Sequence, residues 1–277
     1  MELSLLSPRL SKDSSIFDAL RSCSSFNCYS YMRTTILKKL KLIINSIIKQ
    51  YYLLKLPVAS PGTRGWLIGS EIKYGGIVKN VARNKVSPKD PRTKEQLLTG
   101  GMTGGDRMLH HGYASKYSEY LLPYLKKAKK GRSLTVVEFG ILKGTGLAIW
   151  CDLFTGGRIL GLDIDLGHIK ENMENLKAIG AFRSNQPELH EFDQFIDNVE
   201  YLGTILKGDK IDVCIDDGFH SIESILSTMK SVMPYLADRA VYIIEDNRDV
   251  HKEIKIIYPN MYVDHQDELT IVSNFNQ

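Results

Sequence analysis

Between residues 134 and 272 the chain repeats one pattern: a short apolar run, a turn, then a stretch of helical periodicity. Residues 134–139, 158–162, 188–192, 211–215 and 240–244 read as strands. Residues 144–154, 167–179 and 221–236 read as helices, and helical spacing also links Phe195, Ile196, Val199, Leu202 and Leu206. Two more apolar runs, 261–263 and 269–272, flank a polar turn and read as a closing hairpin. Strand–helix alternation of this kind specifies a parallel sheet covered on both faces, because each crossover must bury its apolar stripe against the sheet. The expected fold is α/β and Rossmann-like. It has a seven-stranded, mostly parallel sheet with helices on both faces, a closing antiparallel hairpin and a helical N-terminal extension.

Residues 1–95 read as that basic extension and 96–277 as the α/β domain. The first 30 residues are rich in Ser and lack the pattern of a secretory signal, so they read as loosely ordered. In 32–56, Ile36, Leu37, Leu40, Ile43, Ile44, Ile47, Ile48 and Tyr51 form a helical stripe that ends at Pro57. Lys38, Lys39, Lys41 and Lys49 argue against a membrane-spanning segment. The stripe suits packing on the main domain or a second subunit, or peripheral contact with an anionic membrane. Residues 57–105, with many Gly, Pro and Lys, read as a linker or mobile cover. Residues 115–130 read as a helix with Tyr117, Tyr120, Leu121, Tyr124 and Leu125 on one face.

Charge is split along the chain. Residues 1–132 hold 24 Lys+Arg against 8 Asp+Glu, and residues 133–277 hold 12 against 24. This suggests a basic half that meets an anionic partner and an acidic half that holds cations. A composition of 43% hydrophobic and 25% charged residues excludes collagen-like, disordered and disulfide-scaffold chains. Cys151 and Cys214 sit in apolar segments and read as buried thiols. Cys23 and Cys28 lack the second pair a zinc site needs.

Ligands of such sheets bind at the carboxyl ends of the strands. The first strand ends in Glu138-Phe139-Gly140, and the loop continues through Gly144 and Gly146. The glycine spacing matches neither a dinucleotide fingerprint nor a phosphate loop. A carboxylate ahead of the first glycine would repel pyrophosphate and attract a cation. The second strand ends at Asp163, 23 residues after Gly140, near the roughly 20 of a ribose-binding acid. Glu138 with Asp163 suits a nucleoside carrying an amino-acid cation, which describes S-adenosylmethionine. The fourth strand ends in Asp216-Asp217 and the fifth in Glu245-Asp246, so four carboxylates are expected on one rim. A hard divalent cation such as magnesium would offset their repulsion. His220 beside them could act as general base. The competing reading is an Asp216 or Asp217 that caps a helix, a structural His220 and a solvated Glu245–Asp246. His110-His111 ahead of the Tyr-rich helix fit either a lid or plain surface.

These residues together resemble the class I S-adenosylmethionine-dependent methyltransferases. More narrowly, they resemble the branch that holds macrolide sugar O-methyltransferases and the cephalosporin hydroxylase-associated protein. The resemblance spans about residues 100–277. It rests on the 138–146 loop, on Ile215-Asp216-Asp217-Gly218-Phe219-His220 with Ile244-Glu245-Asp246, and on Gly105-Asp106-Arg107 with His111-Gly112-Tyr113 and Tyr117. It implies that Glu138, Gly140, Gly144, Gly146, Asp163 and Asp216 serve the cofactor, with Asp193-Gln194 near the adenine. It implies Asp217, Glu245 and Asp246 as magnesium ligands and His220 as the base. Phe219 stands where Ser is usual, and Arg107 where Lys is common. The implied activity is Mg-assisted O-methylation of a sugar or sugar-like small molecule, in the cytoplasm or at a membrane surface. The alternative is a non-catalytic protein of this fold attached to a membrane or partner through 32–56. A nucleic-acid substrate is disfavoured, since no Asn-Pro-Pro-Tyr-type base-flipping motif is present.

Overall fold

The computed structural model describes residues 26–75, 79–80, 89, 103–128, 131 and 133–275. The loose order expected of the first residues, Cys23 among them, falls outside these up to residue 25, as does most of the Gly/Pro/Lys stretch at 76–102. The chain divides into two compact units, Met1–Ile48 and Lys49–Gln277.

Helix α1 (Phe26–Lys55) runs from the first unit into the second. It starts earlier than its apolar stripe and stops where a 3-10 turn, Leu56–Val58, carries Pro57. Ile36, Leu37, Leu40, Ile43, Ile44, Ile47 and Tyr51 are exposed. Among the described residues, no helix is long and apolar enough to cross a membrane.

The 57–105 stretch read as a linker or cover contains helix α2 (Arg64–Gly75) instead. Trp66, Leu67, Ile68, Ile72 and Tyr74 of α2 are buried in the main core. Pro61-Gly62 marked a turn, but the twelve residues Arg64–Gly75 that follow form about three helical turns once the core covers them. Helix α2 lies in the compact unit that starts at Lys49. After a two-residue antiparallel pairing of Lys79–Asn80 with Thr103–Gly104 comes α3 (Ala114–Ala128), the Tyr-rich helix. Its Tyr117, Tyr120, Leu121, Tyr124 and Leu125 are buried, as their spacing implied.

The α/β repeat follows: β1 (Thr135–Phe139), α4 (Thr145–Leu153), β2 (Arg158–Asp163), α5 (Gly167–Ala178), β3 (Pro187–Glu191) and α6 (Val199–Leu206). Then come β4 (Ile211–Asp216), α7 (Ile222–Val232), β5 (Leu236–Ile244), α8 (Val250–Ile257), and the hairpin β6 (Tyr262–Gln266) and β7 (Leu269–Ser273). The sheet order is β3-β2-β1-β4-β5-β7-β6, with β7 alone running against the other strands. This is the expected Rossmann-like architecture. Its order reverses between β1 and β4, which opens a crevice at their carboxyl ends. Helix α8 was not foreseen, because eight residues give too little periodicity to register.

The two sheet faces bury separate cores. Val136, Val213, Ile215 and Ile243 face the layer of α2, α3, α4 and α5. Val137, Phe139, Cys214, Tyr242 and Ile244 face α6, α7 and α8. Successive residues alternate between the layers, as pleating demands. Cys151 and Cys214 are free, buried thiols.

Because α2 is core, Leu67→Ala should cost about 2–5 kcal/mol in urea unfolding followed by tryptophan fluorescence. Leu42→Ala on exposed α1 should stay within about 0.5 kcal/mol. Equal small effects would return 57–105 to the status of a linker.

Candidate active site

The site grows from the pleat at the end of β1. Val136 and Glu138 point to the α2–α5 layer, so Glu138 enters a buried position beside α4. Gly140 follows at φ +79°, and a Cβ there would lie 2.1 Å from the Asp217 carbonyl oxygen. A Cβ on Gly146 would lie 2.0 Å from Glu138 Oε1. Position 140 therefore tolerates only glycine, and a side chain at 146 would displace the Glu138 carboxylate. Gly144, at φ +78°, begins α4. The loop borders a cleft of about 430 Å³, lined by Glu71, Arg107, Glu138, Gly140, Gly146 and Asp217, among others.

Arg107 occupies the centre. Its guanidinium reaches Glu138 Oε1 at 2.9 Å through Nη1 and Asp217 Oδ2 at 2.5 Å through Nη2. Its Nε lies 2.8 and 2.9 Å from the two Glu245 oxygens. Arg107 is 8% exposed and lies over the Trp150 ring, 5.6 Å from its centroid. Burial disfavours its charge, yet Glu245, Asp217 and Glu138 outweigh that and hold it protonated well above the ordinary range. Burial also raises Glu138, Asp217 and Glu245 above usual carboxylate values, opposed chiefly by Arg107. Both Glu138 oxygens lack a hydrogen bond, so this carboxylate has only the ionic contact.

A second buried acid sets Arg107 in place. Glu71 of α2 accepts the Met108 N–H at 2.9 and 3.0 Å and the Leu109 N–H at 3.2 Å. It fixes the turn that presents Arg107. Burial pushes Glu71 up to about 7 despite these bonds. Tyr117 of α3 bonds Glu245, and Tyr113 donates to Asp246 Oδ1 at 2.7 Å. Sequence reasoning passed over Glu71 and these hydroxyls. The available signal was one acid inside the apolar run Trp66–Tyr74.

The rim acids do not all converge. Asp217, Glu245 and Asp246 gather with Glu138, but Asp216 turns away. It is the last residue of β4, and pleating sends it to the α6–α8 layer, where Tyr242 Oη donates at 2.8 Å and Gln194 Nε2 at 2.9 Å. Burial pushes it up to about 6. Asp216, expected to serve the cofactor, has its oxygens bonded in the opposite core. Gln194 also donates to Thr228 and accepts the Phe219 N–H, while Asp193 accepts the Phe195 N–H. Asp163 spends Oδ2 on the N–H groups of Ile141 and Leu142, at 2.9 and 3.0 Å, and so shapes the glycine loop. Ser221, rather than an Asp, caps α7 through the Ser224 N–H.

His220 sits at φ +64°, a strained geometry for a non-glycine residue. Its Nε2 is 3.9 Å from Asp217 Oδ1, and its Nδ1 is buried without a partner. Asp217, His220 and Asp246 each offer an atom within 4.8 Å of the others, a set able to hold a metal ion. Glu245, expected with them, is committed to Arg107 and Tyr117. His111, Asp246 and Glu268 form a second such set. His111 lies 3.7 Å from each of Asp106, Asp246 and Glu268, and Asp106 foremost lifts it to about 9.

The residues fit an amino-acid-bearing nucleoside in part. Glu138 is a buried carboxylate on the cleft, held by its ion pair with Arg107, and the two glycines allow a ligand to approach the backbone. They fit a hard divalent ion through the oxygens of Asp217 and Asp246.

No protein-family model matches the chain. A curated relative is the 8-demethyl-8-alpha-L-rhamnosyl tetracenomycin-C 2'-O-methyltransferase of Streptomyces olivaceus, 25% identical over 151 residues. The match covers 52% of this chain and 35% of that protein, so the chain spans about a third of that relative's length. Among solved structures, MycE methyltransferase from the mycinamycin biosynthetic pathway, in complex with Mg, SAH and mycinamycin VI, is 19% identical with a TM-score of 0.45. It is matched over 59% of this chain and 50% of its own. The O-methyltransferase TomG of Streptomyces achromogenes, in complex with SAM, is 12% identical over 54% of this chain and 76% of its own, at a TM-score of 0.38. The methyltransferase resemblance read from the motifs agrees with these similarities.

The Glu71 proton gives a pH test. The folded chain binds that proton more tightly than the unfolded one, so unfolding free energy falls as pH rises from about 4.5 to about 7. Gln at this position has no such proton. In thermal melts from about pH 5 to about pH 8, the stability deficit of Glu71→Gln against wild type should shrink. A deficit constant with pH would show that Glu71 is ionised throughout.

Proposed function

We propose that this chain, whose motifs and curated relative are those of the class I S-adenosylmethionine-dependent methyltransferases, methylates a hydroxyl of a sugar or sugar-like small molecule. One observation carries the reading: a buried carboxylate at the end of β1 lines the same cleft as Asp217, which stands within 4.8 Å of His220 and Asp246. When bound, S-adenosylmethionine would supply an activated methyl group, and a magnesium ion would lower the pKa of the acceptor hydroxyl.

The chain's own residues would do the rest. Glu138 would take the donor's ammonium group, and the glycines at 140 and 146 would let the donor lie against the backbone. Asp163 would act indirectly, by holding the Ile141–Leu142 turn. Asp217 and Asp246 would hold the ion. His220 would accept the hydroxyl proton through Nε2, which lies 3.9 Å from Asp217 Oδ1, beyond a strong hydrogen bond, while its Nδ1 is buried. The relative named for 2'-O-methylation of a rhamnosyl group supports a sugar hydroxyl as acceptor.

Isothermal titration with S-adenosylmethionine tests the reading. Wild type should bind, and Glu138→Gln should weaken binding by about 10-fold or more, the value of a charge-assisted hydrogen bond. No binding to clean protein, with or without magnesium, would overturn it.

A second reading has its own observation. The exposed apolar residues of α1 share the helix with Arg33 and five lysines and no acid. Such a helix suits an anionic lipid surface. Sedimentation with phosphatidylserine vesicles should capture wild type, and Ile43→Glu with Ile47→Glu should reduce capture at least ~10-fold. Capture that is unchanged, or absent from the start, removes the attachment reading and leaves the enzyme reading intact.

A further inference from the structure

We propose that Arg107 is a built-in rival of the divalent ion. Its guanidinium stands in for the ion on Asp217 and Glu245, and the ion must displace it, which in turn frees Glu138. This rests on the methyltransferase reading for the identity of the donor, but the rivalry itself is a matter of charge and geometry.

The argument starts from valence. An arginine side chain offers five N–H donors in one plane, directed to three sides. Here those three sides face three different carboxylates: Glu138 through Nη1, Asp217 through Nη2 and Glu245 through Nε. Among the described residues Arg107 bonds all three of these acids, and acids left unpaired at such depth would take up protons. The same contacts withhold donors from a metal. Asp217 Oδ2 is occupied, and Glu245 has Arg107 on both oxygens and Tyr117 on Oε1. What is left facing an ion is the outer set of Asp217, His220 and Asp246.

A divalent ion at that outer set would sit beside a guanidinium bonded to the same Asp217. Two cations cannot share that carboxylate cheaply in a buried setting, where screening is weak. The ion therefore pushes Arg107 off Asp217 and Glu245, and a guanidinium without those two anchors is held by Glu138 alone. Release from Glu138 leaves an open carboxylate on the cleft, the group proposed to receive the donor's ammonium. Arg107 thus ties the rim to the first strand, and occupancy of the rim is linked to occupancy of the cleft. It is a positioning residue, acting through the acids it holds, and the turn pinned by Glu71 decides where it stands.

The test uses the full chain and Mn²⁺ alone, with free Mn²⁺ followed by its electron paramagnetic resonance signal. Arg107→Met should bind Mn²⁺ at least about 10-fold more tightly than wild type, with Arg107→Lys between them. A merely structural arginine would give the opposite, a weaker site. Equal or weaker binding by Arg107→Met overturns the proposal. A second measurement needs no variant that folds differently. In wild type the Arg107 Nε–H should be protected from solvent exchange without magnesium and lose that protection when magnesium is added. Protection that persists at saturating magnesium overturns the proposal as well. Titration with S-adenosylhomocysteine then reads the link: magnesium should strengthen binding to wild type several-fold and leave binding to Arg107→Met unchanged. If wild type binds no S-adenosylhomocysteine under any condition, the methyltransferase reading fails, while the Mn²⁺ and exchange results still decide the rivalry.

Discussion

One buried guanidinium among two buried carboxylates, Glu138 and Glu245, and the half-buried Asp217 is the interaction on which the rest of this structure depends. Glu138, Asp217 and Glu245 come from the ends of three neighbouring strands, and Arg107 comes from a turn ahead of the first of them. Charges held this deep persist only when paired and bonded, because removing one partner strands the others. That need explains why α2 belongs to the core. Its Glu71 satisfies the turn that carries Arg107, and its apolar face packs against α3 and α4, which supply Tyr117 and Trp150 around the same group.

Sheet pleating then decides which acids can take part. Asp216 and Asp217 are neighbours in sequence but serve opposite layers: Asp216 ends β4 on the face of Tyr242, and Asp217 turns into the cleft. Glu245 and Asp246 stay on one side of the sheet, the first bonded to Arg107 and Tyr117 and the second to Tyr113.

Much of the fold was legible in the residues. The five parallel strands, the hairpin and the Tyr-rich face of α3 all lie where the apolar periodicity put them, since burial on a pleated or helical surface leaves that mark directly. Helix α2 was masked by the turn residues around it, and α8 by its brevity. Of the site, strand ends alone pointed to a rim of Asp216, Asp217, Glu245 and Asp246, and three of these four acids lie together. The diversion of Asp216, the locking of Gln194 between Asp216, Thr228 and Phe219, and the use of Asp163 on the loop did not, because each is a contact between elements distant in sequence.

The sequence by itself determined the layer architecture, the strand ends as the place of chemistry, and an excess of acid there. Periodicity and strand-terminal residue type are local properties, and local properties are written in order along the chain. Only the tertiary structure decided what neutralises that acid. An arginine 31 residues ahead of Glu138 reaches it through a turn pinned by a carboxylate from yet another helix. Electrostatic pairing depends on distance in space, and no spacing along the chain encodes it.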